Sequence, residues 1–170
     1  LVFLLSSFLS SEIHYYQTTK IVPAPGGKLK EILFEKPQTL NPLFPLTTAD
    51  EDISYLLFAS LLKYDGKGNL KKELAEKYSL KEKGKVFWFR LKDKIFWSDG
   101  KEITTSDIKF TVNLLQNPKI ENPLAKVWKD VKVKIINEKE IEFILPLPYP
   151  LFLENFTLKS LPEHVFEKIE

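Results

Sequence analysis

The sequence predicts an α+β fold, a mixture of antiparallel hairpins and helices around one core, and three observations predict it. Two pairs of alternating apolar and polar runs flank short turns, at 78–91 and 131–145. Two other segments, 49–62 and 104–116, carry helical spacing behind capping or acidic first turns. The 170 residues are 44% hydrophobic and 13% aromatic, enough apolar surface for a single packed core.

The chain begins with an apolar run, Leu1 to Leu9, covering about half of the roughly 20 residues a helix needs to span a bilayer. With no methionine anywhere in the sequence, this run reads as the tail of a signal peptide or membrane anchor. A first buried strand or helix is the alternative. Residues Ser10 to Lys28 are polar and close on Pro23-Ala24-Pro25-Gly26-Gly27, which resists regular structure and marks a linker. The expected organisation is therefore 1–28 as anchor remnant and linker, and 29–170 as the folded part, lying outside the cytoplasm.

Lys28 to Glu35 predicts a first strand, followed by the proline-punctuated, apolar loop Leu40-Asn41-Pro42-Leu43-Phe44-Pro45. A helix is expected over Ala49–Leu62, with Asp50, Glu51 and Asp52 near its positive end and Ile53, Leu56, Leu57 and Leu61 on the inward face. Tyr64 to Asn69 forms a glycine-rich turn. The first hairpin joins Tyr78-Ser79-Leu80 to Val86–Leu91 through Lys81–Lys85, with Phe87, Phe89 and Leu91 on one face and Val86, Trp88 and Arg90 on the other.

Ser98-Asp99-Gly100-Lys101 is a tight turn, since Asp-Gly accepts positive φ. Thr104 or Thr105 then caps a helix, Thr104 and Asp107 having capping-box spacing, with Ile108, Val112 and Leu115 inward and Asn117-Pro118 ending it. In the second hairpin, Val131–Ile136 pairs with Glu140–Leu145, one face wet, with Lys132 and Lys134 set against Glu140 and Glu142. Pro146, Pro148 and Pro150 break the sheet before the apolar stretch Leu151–Leu158, and Pro162 opens a last short helix.

Composition removes several functions. Twenty-five basic and 23 acidic residues leave a net charge of +2, which gives nucleic acid no purchase. With no cysteine and only His14 and His164, thiol chemistry and histidine-rich metal sites are excluded, and no cofactor is implied. Phosphate-loop, zinc-protease and serine-hydrolase signatures do not occur. Asp99 and Asp107 are the acids that a hydrolase would have to use, although turn and cap geometry accounts for both. His164 reads as a capping or surface residue. Phe87, Trp88, Phe89, Phe96, Trp97 and Trp128 are numerous enough to supply an aromatic wall, while most are expected in the core.

The ordered segments Leu40-Asn41-Pro42-Leu43, Leu57–Asp65 with Gly68, Leu74-Ala75-Glu76-Lys77-Tyr78, Phe87–Asp93, Phe96-Trp97-Ser98-Asp99-Gly100, Ile103–Thr111, Tyr149-Pro150-Leu151-Phe152-Leu153 and Leu161-Pro162-Glu163-His164 carry a resemblance. Together they resemble the bacterial extracellular solute-binding proteins of family 5, which include oligopeptide-, dipeptide- and nickel-binding proteins. The stretch Val22–Gly27 is similar to the tether of members held to the membrane by an N-terminal hydrophobic segment.

The resemblance implies a two-lobed, periplasmic-binding-protein-like fold, of which this sequence carries the start of the first lobe and its inserted β-rich subdomain but not the second lobe. It implies a non-enzymatic, extracytoplasmic substrate-binding component of an ABC importer, capturing oligopeptides or another small solute and working with permease and ATPase subunits. Within the sequence, the family's ligand-lining elements correspond to Leu43, Phe44, Pro45, Leu46 and Thr47 and to the region around Asn117 to Trp128. Pro42 and Pro45 stiffen this loop, leaving carbonyls and amides for an extended ligand. A plain connector that packs Phe44 into the core stands beside that reading. A cell-envelope hydrolase using Asp99 and Asp107, and an interaction module docking a protein on the Leu-Asn-Pro loop, are the alternatives in function.

Overall fold

The structure is a computed structural model and describes residues 26–28, 30, 32–119 and 122–167. Contacts divide the chain into a unit reaching Ile32 and a second unit, Leu33–Glu170, which holds every helix and strand described. The anchor segment expected at the start lies outside the described residues, as does most of the linker.

Along the second unit run α1 (Thr48–Leu57), β1 (Leu62–Tyr64), β2 (Leu70–Lys72), β3 (Ala75–Lys81), β4 (Val86–Leu91), α2 (Thr105–Gln116), α3 (Ala125–Trp128), β5 (Lys132–Asn137) and β6 (Glu140–Ile144). A 3-10 helix, Pro150–Thr157, and α4 (Glu163–Phe166) follow. β1 and β2 form a small ribbon, and the main sheet has the antiparallel order β3-β4-β6-β5. Both expected hairpins are present, and the second inserts its β6 beside β4, so the charged edge strands lie outermost.

Register explains the core. Phe87 stands opposite Phe143 and Phe89 opposite Ile141, so one face of the sheet is continuously apolar. Onto it fold Trp128 from α3 and Phe152 and Phe156 from the 3-10 helix; Phe156 lies 4.5 Å from Phe89 and 4.7 Å from Phe143, centroid to centroid. Burying each such ring contributes about 2–3 kcal/mol before entropy is counted. On the opposite face Trp88 meets Glu142. Lys134 does face Glu142, but Lys132 faces Ile144. The ion pairs formed are Lys81–Glu142 at 3.0 Å and Arg90–Glu140 at 3.3 Å, because β3 and β4 reach these carboxylates.

α2 forms as its capping signal dictates: the Thr104 side chain accepts a backbone N–H, and Asp107 returns the favour to the Thr104 N–H at 2.9 Å. Ile108, Val112 and Leu115 are all buried.

Two expected elements differ. From Ile32 to Glu35 no strand forms, and Phe34 is fully exposed. Among the described residues no strand pairs with this run, and a β-favouring stretch without a ladder partner leaves its polar backbone to water.

α1 stops at Leu57 instead of Leu62, its cap Phe58 turning to extended backbone. Beyond it, Ser60 bridges Lys159 and Leu62 enters β1, long-range pairings that override the local helical period. The face that α1 buries is also different: Ala49, Asp50 and Ser54 are inside, whereas Leu56 and Leu57 are 76% and 56% exposed.

Candidate functional site

The buried carboxylate on α1 organises the proline loop in front of it. Asp50 is completely buried, and its two oxygens divide four backbone donors between them. Oδ1 accepts the N–H groups of Gln38 (2.7 Å) and Thr39 (3.1 Å); Oδ2 accepts those of Leu46 (2.9 Å) and Thr47 (3.0 Å). One side chain thus ties the entry of the loop to its exit. Burial works against the charge, but the four N–H donors outweigh it and hold the carboxyl down at about 2. Thr47 completes the arrangement as the cap of α1, its hydroxyl accepting the Asp50 N–H at 3.1 Å.

The interior of the loop is fixed equally tightly. The Thr39 hydroxyl accepts the Asn41 N–H, the Asn41 side-chain oxygen accepts the Leu43 N–H at 3.0 Å, and the Asn41 carbonyl accepts the Phe44 N–H at 3.0 Å. From across the fold the buried Asn122 donates its Nδ2 to the Leu43 carbonyl at 2.7 Å and accepts the Leu124 N–H with its Oδ1, also at 2.7 Å. These two partners force the amide orientation, since one needs a donor and the other an acceptor.

The expected site residues divide into three groups. Leu43 (3% exposed) and Trp128 (2% exposed) have core side chains, Trp128 sitting edge-on to Phe143, Phe152 and Phe156. Phe44 is half-buried against the same core, and Thr47 is engaged as a cap. Pro45 and Leu46 face outward, Leu46 70% exposed. Leu43–Thr47 therefore form one surface loop, and the segment bearing Trp128 is joined to it through the shared core and the Asn122–Leu43 hydrogen bond.

An open groove lined by Leu115, Asn117, Pro118, Asn122, Pro123 and Lys126 adjoins that joint. Asp50 and Asn122 are the members that sequence reasoning passes over. The Thr47-x-x-Asp50 spacing signals a capping box, but nothing local reveals the second pair of donors or the partner 79 residues away.

The candidate acids are each engaged in a structural role. Asp107 serves the α2 cap and accepts the Glu163 N–H at 3.0 Å, while Asp99 pairs with His164 Nε2 at 2.5 Å. His164 is thus a partner of the Asp99 turn rather than a cap. Its hydrogen bond, with help from the Lys101 N–H, holds the Asp99 carboxyl below the usual range. Among the described residues no group of three or more His, Cys, Asp or Glu is placed to hold a metal ion.

Comparison with known proteins points the same way along most of the chain. Residues 69–168 match the model of the bacterial extracellular solute-binding proteins, family 5 Middle. The oligopeptide-binding protein AppA of Bacillus subtilis is 32% identical over 158 residues, an alignment covering 86% of this chain and 28% of that protein. The chain thus spans little more than a quarter of that relative's length.

Among solved structures, AppA from Bacillus subtilis in complex with a nonapeptide superposes with a TM-score of 0.73 at 26% identity, covering 79% of this chain and 27% of that one. NikZ from Campylobacter jejuni in complex with Ni(L-His) gives 0.70 at 28% identity, covering 78% and 27%.

Proposed function

The chain belongs to the bacterial extracellular solute-binding proteins of family 5, and from that premise we propose that it supplies part of the first lobe of an extracytoplasmic substrate-binding component of an ABC importer. Members of this family are solute-binding proteins, and the assignment carries no catalytic step. In this reading 29–170 is the N-terminal portion of the binding domain, and 1–28 is the remnant of a signal or anchor that tethers it outside the cytoplasmic membrane. Oligopeptides are the proposed ligand class, and permease and ATPase subunits are the partners.

The observation that carries the reading is the match over residues 69–168, joined to the similarity with an oligopeptide-binding relative. The loop Leu43–Thr47 is proposed as the ligand-facing element. It is a surface backbone whose ordering has already been met by Asp50 and Asn122, so little further entropy is lost when a ligand binds. Trp128 supports it from beneath by anchoring the Asn122 segment in the core.

The test is calorimetric titration of the protein expressed from its complete reading frame with tetraalanine and with nickel–histidine, alongside native mass spectrometry of co-purified ligand. Saturable binding of the peptide is expected. Binding of nickel–histidine alone, or of neither probe, defeats the peptide assignment.

A further inference from the structure

The hydrogen-bond accounting of the loop shows a one-sided chemistry. Between Asn41 and Thr47 every backbone N–H is consumed internally: Asn41 by Thr39, Leu43 and Phe44 by Asn41, and Leu46 and Thr47 by Asp50. Pro42 and Pro45 have none to give. The amides expected to remain for a ligand are therefore already engaged within the loop. The carbonyls of Phe44, Pro45 and Leu46 accept no hydrogen bond among the described residues, and Pro45 and Leu46 stand at the surface.

We infer that Leu43–Thr47 is an acceptor-only strip, held in that state by Asp50, which selects ligands presenting N–H donors and turns away carboxylates; the inference rests on the loop facing the ligand as proposed above. Polarity follows from the clamp. An approaching peptide N–H or ammonium finds carbonyl oxygens that need no desolvated partner broken to receive it. An approaching carboxylate finds acceptors only along Leu43–Thr47, because Asp50 and Asn41 have already taken the N–H groups that could receive it.

Asp50 is a positioning residue in this scheme, since it is fully buried beneath the loop. An asparagine at position 50 keeps one acceptor oxygen, but its NH2 group must face two N–H donors. Either the Gln38–Thr39 end or the Leu46–Thr47 end is then released, freeing amide donors and loosening the strip.

The experiment uses the protein from its complete reading frame and tetraalanine, together with analogues in which each peptide N–H in turn is replaced by an ester oxygen. Leu46→Trp first reports whether the loop meets the ligand, through a shift in emission on adding tetraalanine. At least one ester is expected to bind about five- to tenfold more weakly than the parent, the size of one lost hydrogen bond. In Asp50→Asn that penalty is expected to shrink at least about twofold, because the acceptor geometry is lost. Should Asp50→Asn not fold, Asn122→Ala, which releases the Leu43 carbonyl together with the Leu124 N–H and leaves the Asp50 bonds in place, carries the same cycle.

Failure of tetraalanine to bind, or binding without an emission shift, removes the proposed ligand role of the loop and this inference with it. An emission shift accompanied by equal affinity for all esters, or by a penalty unchanged in the variant, overturns the acceptor-only strip and leaves the proposed function standing.

Discussion

Gly84 and Gly100 separate two effects that are usually confounded. Both adopt left-handed backbone, at φ +86° and +87°, so replacing either by alanine imposes the same conformational penalty, about 1 kcal/mol. Removing glycine also stiffens the unfolded chain, which returns about 0.4–1 kcal/mol. At Gly100 nothing lies within 4 Å of the new Cβ, and the net loss should be about 0–1 kcal/mol. At Gly84 the same Cβ falls 2.8 Å from the N, Cα and Cγ of Pro150.

Ordinary carbon contacts begin near 3.5 Å, so the proline must move by roughly 0.7 Å. Its position is set by the bond from Tyr149 N–H to the Gly84 carbonyl at 3.0 Å and by the neighbouring bond from Leu145 N–H to the Lys85 carbonyl at 2.8 Å. Overpacking of about 1–3 kcal/mol and one weakened hydrogen bond of about 1 kcal/mol then add to the backbone term. Gly84→Ala should therefore be less stable than Gly100→Ala by about 2–4 kcal/mol. Urea unfolding, followed by the emission of Trp88, Trp97 and Trp128, should place the two midpoints about 1 M or more apart for an m value near 2 kcal/mol/M. Midpoints that coincide would refute the reasoning, for they would mean that the chain entering the 3-10 helix does not rest on the hairpin turn.

Further outcomes follow from the core and its ion pairs. Phe156→Ala empties the centre of the aromatic cluster and should destabilise the chain by about 3–5 kcal/mol, read as a lowered urea midpoint with loss of near-ultraviolet dichroism. Glu73 accepts the Ser60 N–H and hydroxyl at 2.8 and 2.9 Å while pairing with Lys63 and Lys159, so Glu73→Gln should cost about 1–3 kcal/mol. The folded Asp50 carboxyl lies near 2 and the ordinary one near 3.8, so its stabilising effect is complete above the ordinary value and disappears as pH falls towards 2. The urea midpoint of the parent should consequently drop more steeply between pH 4 and 2 than that of Asp50→Asn, and parallel acid limbs would contradict the clamp.

Where the sequence could be read, the signal was local. The Thr104–Asp107 spacing predicts α2 because a capping box is satisfied within one turn, and alternation in 86–91 and 140–144 predicts β4 and β6 because each residue's face follows from its neighbours. The failures are as specific. Leu56 and Leu57 have the spacing of an inward stripe, yet α1 turns Ala49, Asp50 and Ser54 inside, where the Asp50 carboxylate meets its four backbone N–H partners. The strand expected over 28–35 has β-favouring residues but, among the described residues, no ladder to join.

The same contrast governs the site. The irregular loop of the candidate site is legible from Asn41-Pro42 and Pro45, since prolines and an asparagine announce irregular backbone wherever they fall. Its chemistry is not, because which N–H groups remain free depends on partners that local pattern does not disclose: Asp50 is masked as an ordinary helix-start acid, and Asn122 is 79 residues from the carbonyl it holds. A loop of this composition without the Asp50 carboxylate would offer its Leu46 and Thr47 N–H groups as donors; with it, only acceptors remain. The polarity of the exposed backbone is thus set by one buried side chain, and a ligand's N–H groups, more than its side chains, are what such a surface can distinguish.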